Sequence, residues 1–154
     1  MDKKKRLIFI DTNVFVIELR YKNDANFKTN RDFLHFIAKE GKGVTSIINI
    51  LEVCGILSFN LNDRQLMELF HYLPDKFRVD VIPSHDIDAS FPAPSVKDIM
   101  GLMRKKASLG DALIANVVNN SLPERTSFVS WDAAHFKDIL VMEALTPKAY
   151  LARQ

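Results

Sequence analysis

The chain has 154 residues, a formal net charge of +2 and a single cysteine, Cys54. That length suits one domain with a real core and is short for two, and a lone cysteine excludes an internal disulfide and points to an intracellular protein. No apolar run approaches the roughly 20 residues that span a bilayer, and Met1-Asp2-Lys3-Lys4-Lys5-Arg6 lacks a cleavable signal pattern, so a cytoplasmic protein without a membrane segment is expected. The slight positive charge permits nucleic-acid binding without demanding it.

In chain order, Leu7-Ile8-Phe9-Ile10 has the continuous apolar pattern of a strand buried on both faces, and it ends in Asp11-Thr12-Asn13. Phe33, Phe36 and Ile37 predict a helix over Asp32–Glu40, stopped by Gly41. Val44 and its neighbours form a short second strand. Ser46 is placed to cap a helix through Ile47–Leu57 that is apolar nearly all round, and therefore expected to be buried. Asp63–Leu73 is amphipathic, with Pro74 as its terminator. Phe77–Pro83 reads as a third strand and the Pro-rich Ser84–Ser95 as a loop. Val96–Lys106 reads as a helix, a break at Gly110 precedes a helix over Asp111–Asn119, Ser127–Val129 is a fourth strand, and Leu140–Ala144 a short fifth. Strands alternating with helices predict a single α/β domain, a doubly wound parallel sheet of about five strands flanked by helices on both faces.

An acid stands at or soon after several strand ends. Asp11 follows the first, Glu52 sits on the helix after the second, Asp132 follows the fourth, and Asp111 opens the helix that leads into the fourth. Right-handed crossovers bring such ends to one edge of the sheet, where open α/β sheets bind ligands. Four carboxylates gathered there repel one another unless a cation neutralises them. An all-oxygen set suits Mg²⁺ or Mn²⁺, and the chemistry implied is metal-assisted phosphodiester hydrolysis with one or two ions. Each acid also has a local reading. Asp11 can cap the helix starting near Val14, Asp132 a short helix containing Phe136, and Asp111 can complete a capping box with Ser108. Glu52 can occupy an exposed helix face. Singly, capping leads for Asp111 and Asp132 and ties for Asp11; jointly, one cation site explains all four.

These segments resemble the PIN domain, a family of Mg²⁺- or Mn²⁺-dependent nucleases that includes the VapC toxins of VapBC toxin–antitoxin pairs. The resemblance rests on Phe9-Ile10-Asp11-Thr12-Asn13, Thr45-Ser46 with Glu52, Gly110-Asp111-Ala112-Leu113-Ile114-Ala115, and Ser130-Trp131-Asp132 with Phe136. The ordered set runs from Leu7 to about Leu151, within one domain spanning 1–154; the loop with Pro92 and Pro94 is longer than the compact family pattern. The resemblance implies an endoribonuclease whose metal ligands are Asp11, Glu52, Asp111 and Asp132, assisted by Asn13 or Ser130. It also implies an RNA substrate and a cognate antitoxin.

Other residues carry lesser expectations. Arg104, Lys105 and Lys106 can position a backbone phosphate, or simply complement a helix C-terminus. The basic tail Lys3–Arg6 can add phosphate affinity or be a solvated tail. His135 can face the cleft or the surface, and Trp131 can stack on a base or pack over the sheet edge. Asn49 and Asn116 can orient ligands or waters. Asp86 and Asp88 suit turn hydrogen bonds, and Cys54 a small core position. A homodimer is expected, with the apolar face of Asp63–Leu73 as a candidate surface, although packing into its own core gives the same pattern. Two other functions compete. A non-catalytic RNA- or protein-binding scaffold has no need to gather like charges. A haloacid dehalogenase-type phosphatase needs a second Asp two residues after the first, where this chain has Asn13.

Overall fold

Ile8–Ile10 (β1), Gly43–Ser46 (β2), Val79–Ile82 (β3), Ser127–Val129 (β4) and Glu143–Leu145 (β5) form one parallel sheet in the order β3-β2-β1-β4-β5. The structure, a computed structural model, describes residues 6–154. The lysines of the basic tail, Lys3, Lys4 and Lys5, lie outside them; Arg6 is exposed and pairs loosely with Glu143 at 3.9 Å. The connecting helices are Thr12–Arg20 (α1), Phe27–Glu40 (α2), Ile47–Leu57 (α3), Asp63–Phe77 (α4), Val96–Met103 (α5), Leu109–Ser121 (α6), Ala133–Phe136 (α7) and Pro147–Ala152 (α8), with a 3-10 turn at Ser58–Asn60.

Side chains of the strands alternate between two cores, as the pleat requires. Ile8, Ile10, Val129 and Leu145 enter one core with Phe15 of α1, Phe33 and Ile37 of α2, and Leu73 and Phe77 of α4. Phe9, Val44, Phe128 and Ala144 enter the other with Ile114 and Val118 of α6 and Phe136 of α7. Phe9 and Phe128 are register partners on β1 and β4, and their rings stack with centroids 4.9 Å apart. Phe136 closes on Phe128 at 4.5 Å. Each such ring contributes about 1.5–3 kcal/mol by leaving water, so these rings anchor the β1–β4 junction on that face, and Ile8, Ile10 and Val129 anchor it on the other.

That junction matters because the strand order reverses there. β1, β2 and β3 step outward in one direction, and β4 and β5 in the other, so the C-terminal ends of β1 and β4 diverge into a crevice. The ladder continues one residue beyond each strand: the Asp11 amide donates to the Val129 carbonyl, and the Ser130 amide to the Leu145 carbonyl, both at 3.0 Å.

Several boundaries differ from those read along the chain. α2 begins at Phe27, five residues early, because its first turn carries polar side chains that hide the apolar period. It ends at Gly41 as expected, in the left-handed conformation (φ 67°). β3 begins only at Val79, since Phe77 closes α4 and Arg78 turns left-handed (φ 53°). β5 is Glu143–Leu145 and not Leu140–Ala144. α5 stops at Met103, so the break falls at Arg104–Ser108, with Lys106 left-handed (φ 71°), and Gly110 lies inside the first turn of α6.

Pro74 does not terminate α4, which runs on to Phe77. A proline inside a helix leaves the carbonyl four residues back without its donor. That carbonyl belongs to Phe70, and the His85 Nε2–H donates to it at 2.7 Å from the loop after β3. The same ring lies against Phe70 at 4.6 Å between centroids. A side chain from elsewhere in the chain thus replaces the missing backbone donor.

The apolar face of α4 is consumed by its own core, where Phe70, Leu73 and Phe77 are buried and Leu66 and Leu69 pack against them. Beside it, Met67 and Tyr72 stay exposed and line an open groove with Leu57, Leu61 and Leu69. α3 is less buried than expected: Leu51 is 41 % and Ile56 40 % exposed. Cys54 is buried in the core, and Asp86 accepts the Asp88 amide at 2.9 Å in a turn, both as expected. No helix among the described residues is long and apolar enough to cross a membrane.

Candidate active site

Asp11 occupies the N-cap position of α1 with extended backbone, yet its carboxylate makes no capping bond. The local explanation for this acid therefore fails. The side chain is only 5 % exposed. Its Oδ1 accepts from Asn49 Nδ2 at 3.0 Å and its Oδ2 from the Ser130 hydroxyl at 2.6 Å. Burial pushes its pKa up to about 6; the Ser130 hydroxyl and the Thr12 amide pull against this, while the charges of Glu52 and Asp111 add to it.

Glu52 is half-buried on α3, a helix capped by Ser46, whose Oγ accepts the Asn49 amide at 3.2 Å. Glu52 Oε1 accepts from the Thr12 hydroxyl at 2.6 Å. Burial raises its pKa, the Thr12 bond opposes that, and Asp111 adds to it. Asp111 stands in the first turn of α6, where the Ser108 Oγ accepts its amide at 3.2 Å. No bond runs back from the Asp111 carboxylate to the Ser108 amide, so the expected capping box is only half made. Burial raises Asp111 as well, against the Ser108 hydroxyl and His135, with Asp132 adding. Asp132, at the N-cap position of α7, makes no capping bond either. It is exposed, and its one side-chain contact is a long one, from Asn13 Nδ2 at 3.4 Å.

The four acids line one cleft of about 200 Å³, with Thr12, Asn13, Val16 and Ile56 completing its wall and no lysine or arginine of the described residues in it. Ser130 is fully buried and its hydroxyl is saturated: it donates to Asp11 and accepts from Asn13 Nδ2 (3.1 Å) and the Asp132 amide (3.0 Å). Ser130 therefore orients Asp11. Asn13 acts as a clamp, since its Oδ1 also accepts the Trp131 amide at 3.1 Å.

Asp11, Glu52 and Asp111, each with its pKa raised by burial, present the all-oxygen chemistry that a hard divalent cation takes. Among the described residues no three Asp, Glu, His or Cys side chains close around a single point. The acids line the walls of an open cleft, which suits an ion that keeps several of its waters, as Mg²⁺ does.

Other candidates fall elsewhere. Arg104, Lys105 and Lys106 are exposed just past the end of α5, and Arg104 and Lys105 line a separate groove with Lys97, Asn116 and Asn119. Asn116 therefore does not join the acids. His135 is on the exposed side of α7, near enough to Asp111 to lower its pKa. Trp131 packs over the sheet edge, its Nε1–H donating to the buried Asn30 at 2.8 Å. Asn49 does reach the site. Thr12 was legible only as part of the Asp-Thr-Asn run, and nothing local marks it as the partner of Glu52.

No family model matches the sequence, and no curated protein does. Solved structures do match. A crystal structure of VapBC2 from Rickettsia felis, bound to a DNA fragment from its promoter, aligns with a TM-score of 0.61 and 18 % identity, over 91 % of this chain and 98 % of that one. FitAB bound to an IR36 DNA fragment gives 0.60 and 16 % over 92 % and 95 %, and FitAcB from Neisseria gonorrhoeae 0.59 and 18 % over 92 % and 99 %. The chain has a PIN-like fold. The acids that the resemblance assigned to a PIN site lie in one crevice of this PIN-like sheet, at the reversal between β1 and β4.

Proposed function

We propose that the chain is a Mg²⁺- or Mn²⁺-dependent endoribonuclease that hydrolyses phosphodiester bonds, and that it is the toxin of a toxin–antitoxin pair. One observation carries the reading: a buried carboxylate, Asp11, is held at the switch point of the sheet, beside three other acids, in a cleft that no lysine or arginine among the described residues lines. A purely structural residue in that place has no reason to keep its charge.

Asp11, Glu52, Asp111 and Asp132 are the oxygens that would hold the ion or ions. When bound, such ions supply Lewis-acid charge to a phosphate oxygen and to an attacking water. The chain's own residues do the rest. Ser130 and Asn49 fix the two oxygens of Asp11, Thr12 fixes one oxygen of Glu52, and Val16 and Ile56 furnish the apolar part of the wall. Arg104, Lys105 and Lys106 are assigned to the RNA backbone at a distance from the scissile phosphate, as sequence-independent contacts.

Cleavage of a panel of transfer, ribosomal and messenger RNAs with and without Mn²⁺ tests the reading. Metal-dependent cleavage that Asp11→Asn abolishes is expected; full activity in that variant overturns it. Absence of Mn²⁺ and Mg²⁺ binding in a titration favours the scaffold. The phosphatase reading is weakened further by Asn13, whose amide donates to Ser130, a role closed to an ionised Asp. VapBC2 and FitAB are described with DNA, which supports a cognate, DNA-binding antitoxin here. Co-purification with the product of a neighbouring open reading frame checks it.

A further inference from the structure

Asn49 ties the two innermost acids together, and we propose that it is the positioning residue of the cleft: it sets Asp11 relative to Glu52 and so governs divalent-ion affinity. This rests on the metal reading above and adds to it a residue that carries no charge.

Asn49 lies three residues before Glu52 on α3, so both occupy one side of the helix. Its side chain is fully buried. The Ser46 hydroxyl donates to its Oδ1, which commits the carbonyl end. Both amide hydrogens then face the site, one to Asp11 Oδ1 and one to Thr12 Oγ1, each at 3.0 Å. Having accepted there, Thr12 turns its own hydrogen to Glu52 Oε1 at 2.6 Å. The donors therefore run one way, from Ser46 through Asn49 to both carboxylates, and every polar atom along the path is used.

This arrangement holds two like charges near each other without neutralising either. A lysine or arginine in that position would do the same holding while displacing the ion. An aspartate would supply no donor, and would set a further carboxylate against Asp11. The amide is the group that supplies two donors and no charge. A role confined to folding would require only that the amide be satisfied, and would not require one of its hydrogens to end on Asp11 and the other on the hydroxyl that serves Glu52.

Mn²⁺ binding to the full chain, measured by calorimetry, tests the proposal alongside RNA cleavage and thermal melting. Asn49→Leu and Thr12→Val are each expected to weaken Mn²⁺ binding by about 10- to 100-fold, the range seen when partners of metal ligands are removed. The two losses are expected to be less than additive when combined, since both break one path. Thr12→Val removes a single hydroxyl, so it reports even if Asn49→Leu fails to fold. Variants that melt cooperatively and bind Mn²⁺ within twofold of the wild type overturn the positioning role and leave the metal reading intact. A wild-type protein that binds no Mn²⁺ overturns both.

Discussion

Ser130 donates its hydroxyl hydrogen to Asp11 Oδ2 at 2.6 Å, joining residues 119 apart in sequence across the gap between β1 and β4. The bond favours the ionised carboxylate, against the burial that disfavours it. Ser130→Ala is therefore expected to raise the pKa of Asp11 further. Mn²⁺ affinity should fall most near pH 6 and recover in part by pH 8, where Asp11 is ionised in both proteins. Calorimetric titration at the two pH values checks this. An equal deficit at both would assign Ser130 a purely steric part.

The metal-free protein should gain stability on mild acidification. Asp11 moves from the usual 3.8 to about 6 on folding, so the native state binds its proton more tightly than the unfolded chain does. The stabilisation is complete below the unfolded pKa and is lost as the pH rises through about 6. At about 1.4 kcal/mol per pKa unit it amounts to roughly 3 kcal/mol for this group alone. Urea unfolding in EDTA between pH 4 and pH 7.5 measures it, and the Asp11→Asn variant should show a flatter profile.

The acids should differ in how much they matter. Asp11 is buried and held at both oxygens, whereas Asp132 is exposed and held only through a 3.4 Å contact. Asp11→Asn is expected to lower Mn²⁺-dependent cleavage by about 10³-fold or more, equivalent to roughly 4 kcal/mol of barrier. Asp132→Asn should lose about tenfold, in the range of an indirect partner. Single-turnover rates on one RNA rank them.

Gly110 separates stability from activity. A Cβ at this position would stand 3.3 Å from Glu52 Oε2, and Glu52 is tethered by Thr12 at its other oxygen. Gly110→Ala should stabilise α6 by about 0.5–1 kcal/mol, as Ala does over Gly in a helix. It should also slow cleavage several-fold by displacing Glu52. A higher melting temperature with unchanged turnover would show that Glu52 moves freely.

His85 is predicted to matter for α4 and not for the cleft. His85→Ala leaves the buried-side carbonyl of Phe70 without a donor at the Pro74 position, a loss of about 1–3 kcal/mol. Mn²⁺ affinity should be unchanged. Denaturant unfolding and calorimetry together make the distinction.

Much of this molecule is written locally. The apolar run before Asp11, the cap at Ser46 and the αL glycine at Gly41 act over a few residues, and each is where the pattern places it. The exceptions share a cause. Pro74 is a helix breaker by local rules, and only His85, brought in from a separate loop, lets α4 continue. The first turn of α2 is polar because Asn30 serves the Val14 carbonyl and Trp131, not the apolar face. Asp11 and Asp132 sit in cap positions without capping, a distinction that residue type cannot make.

The sequence by itself determined the parallel α/β architecture and marked the four acids that line the cleft, because apolar periodicity and an acid's place relative to strand and helix ends are properties of neighbouring residues. Tertiary structure alone decided which atoms face each other. Thr12 meets Glu52 and Asn49 meets Asp11 over separations of 40 and 38 residues. The direction of each hydrogen bond depends on what the partner's other atoms already bind, and that is settled only when β1, α3 and β4 meet at the edge of the sheet.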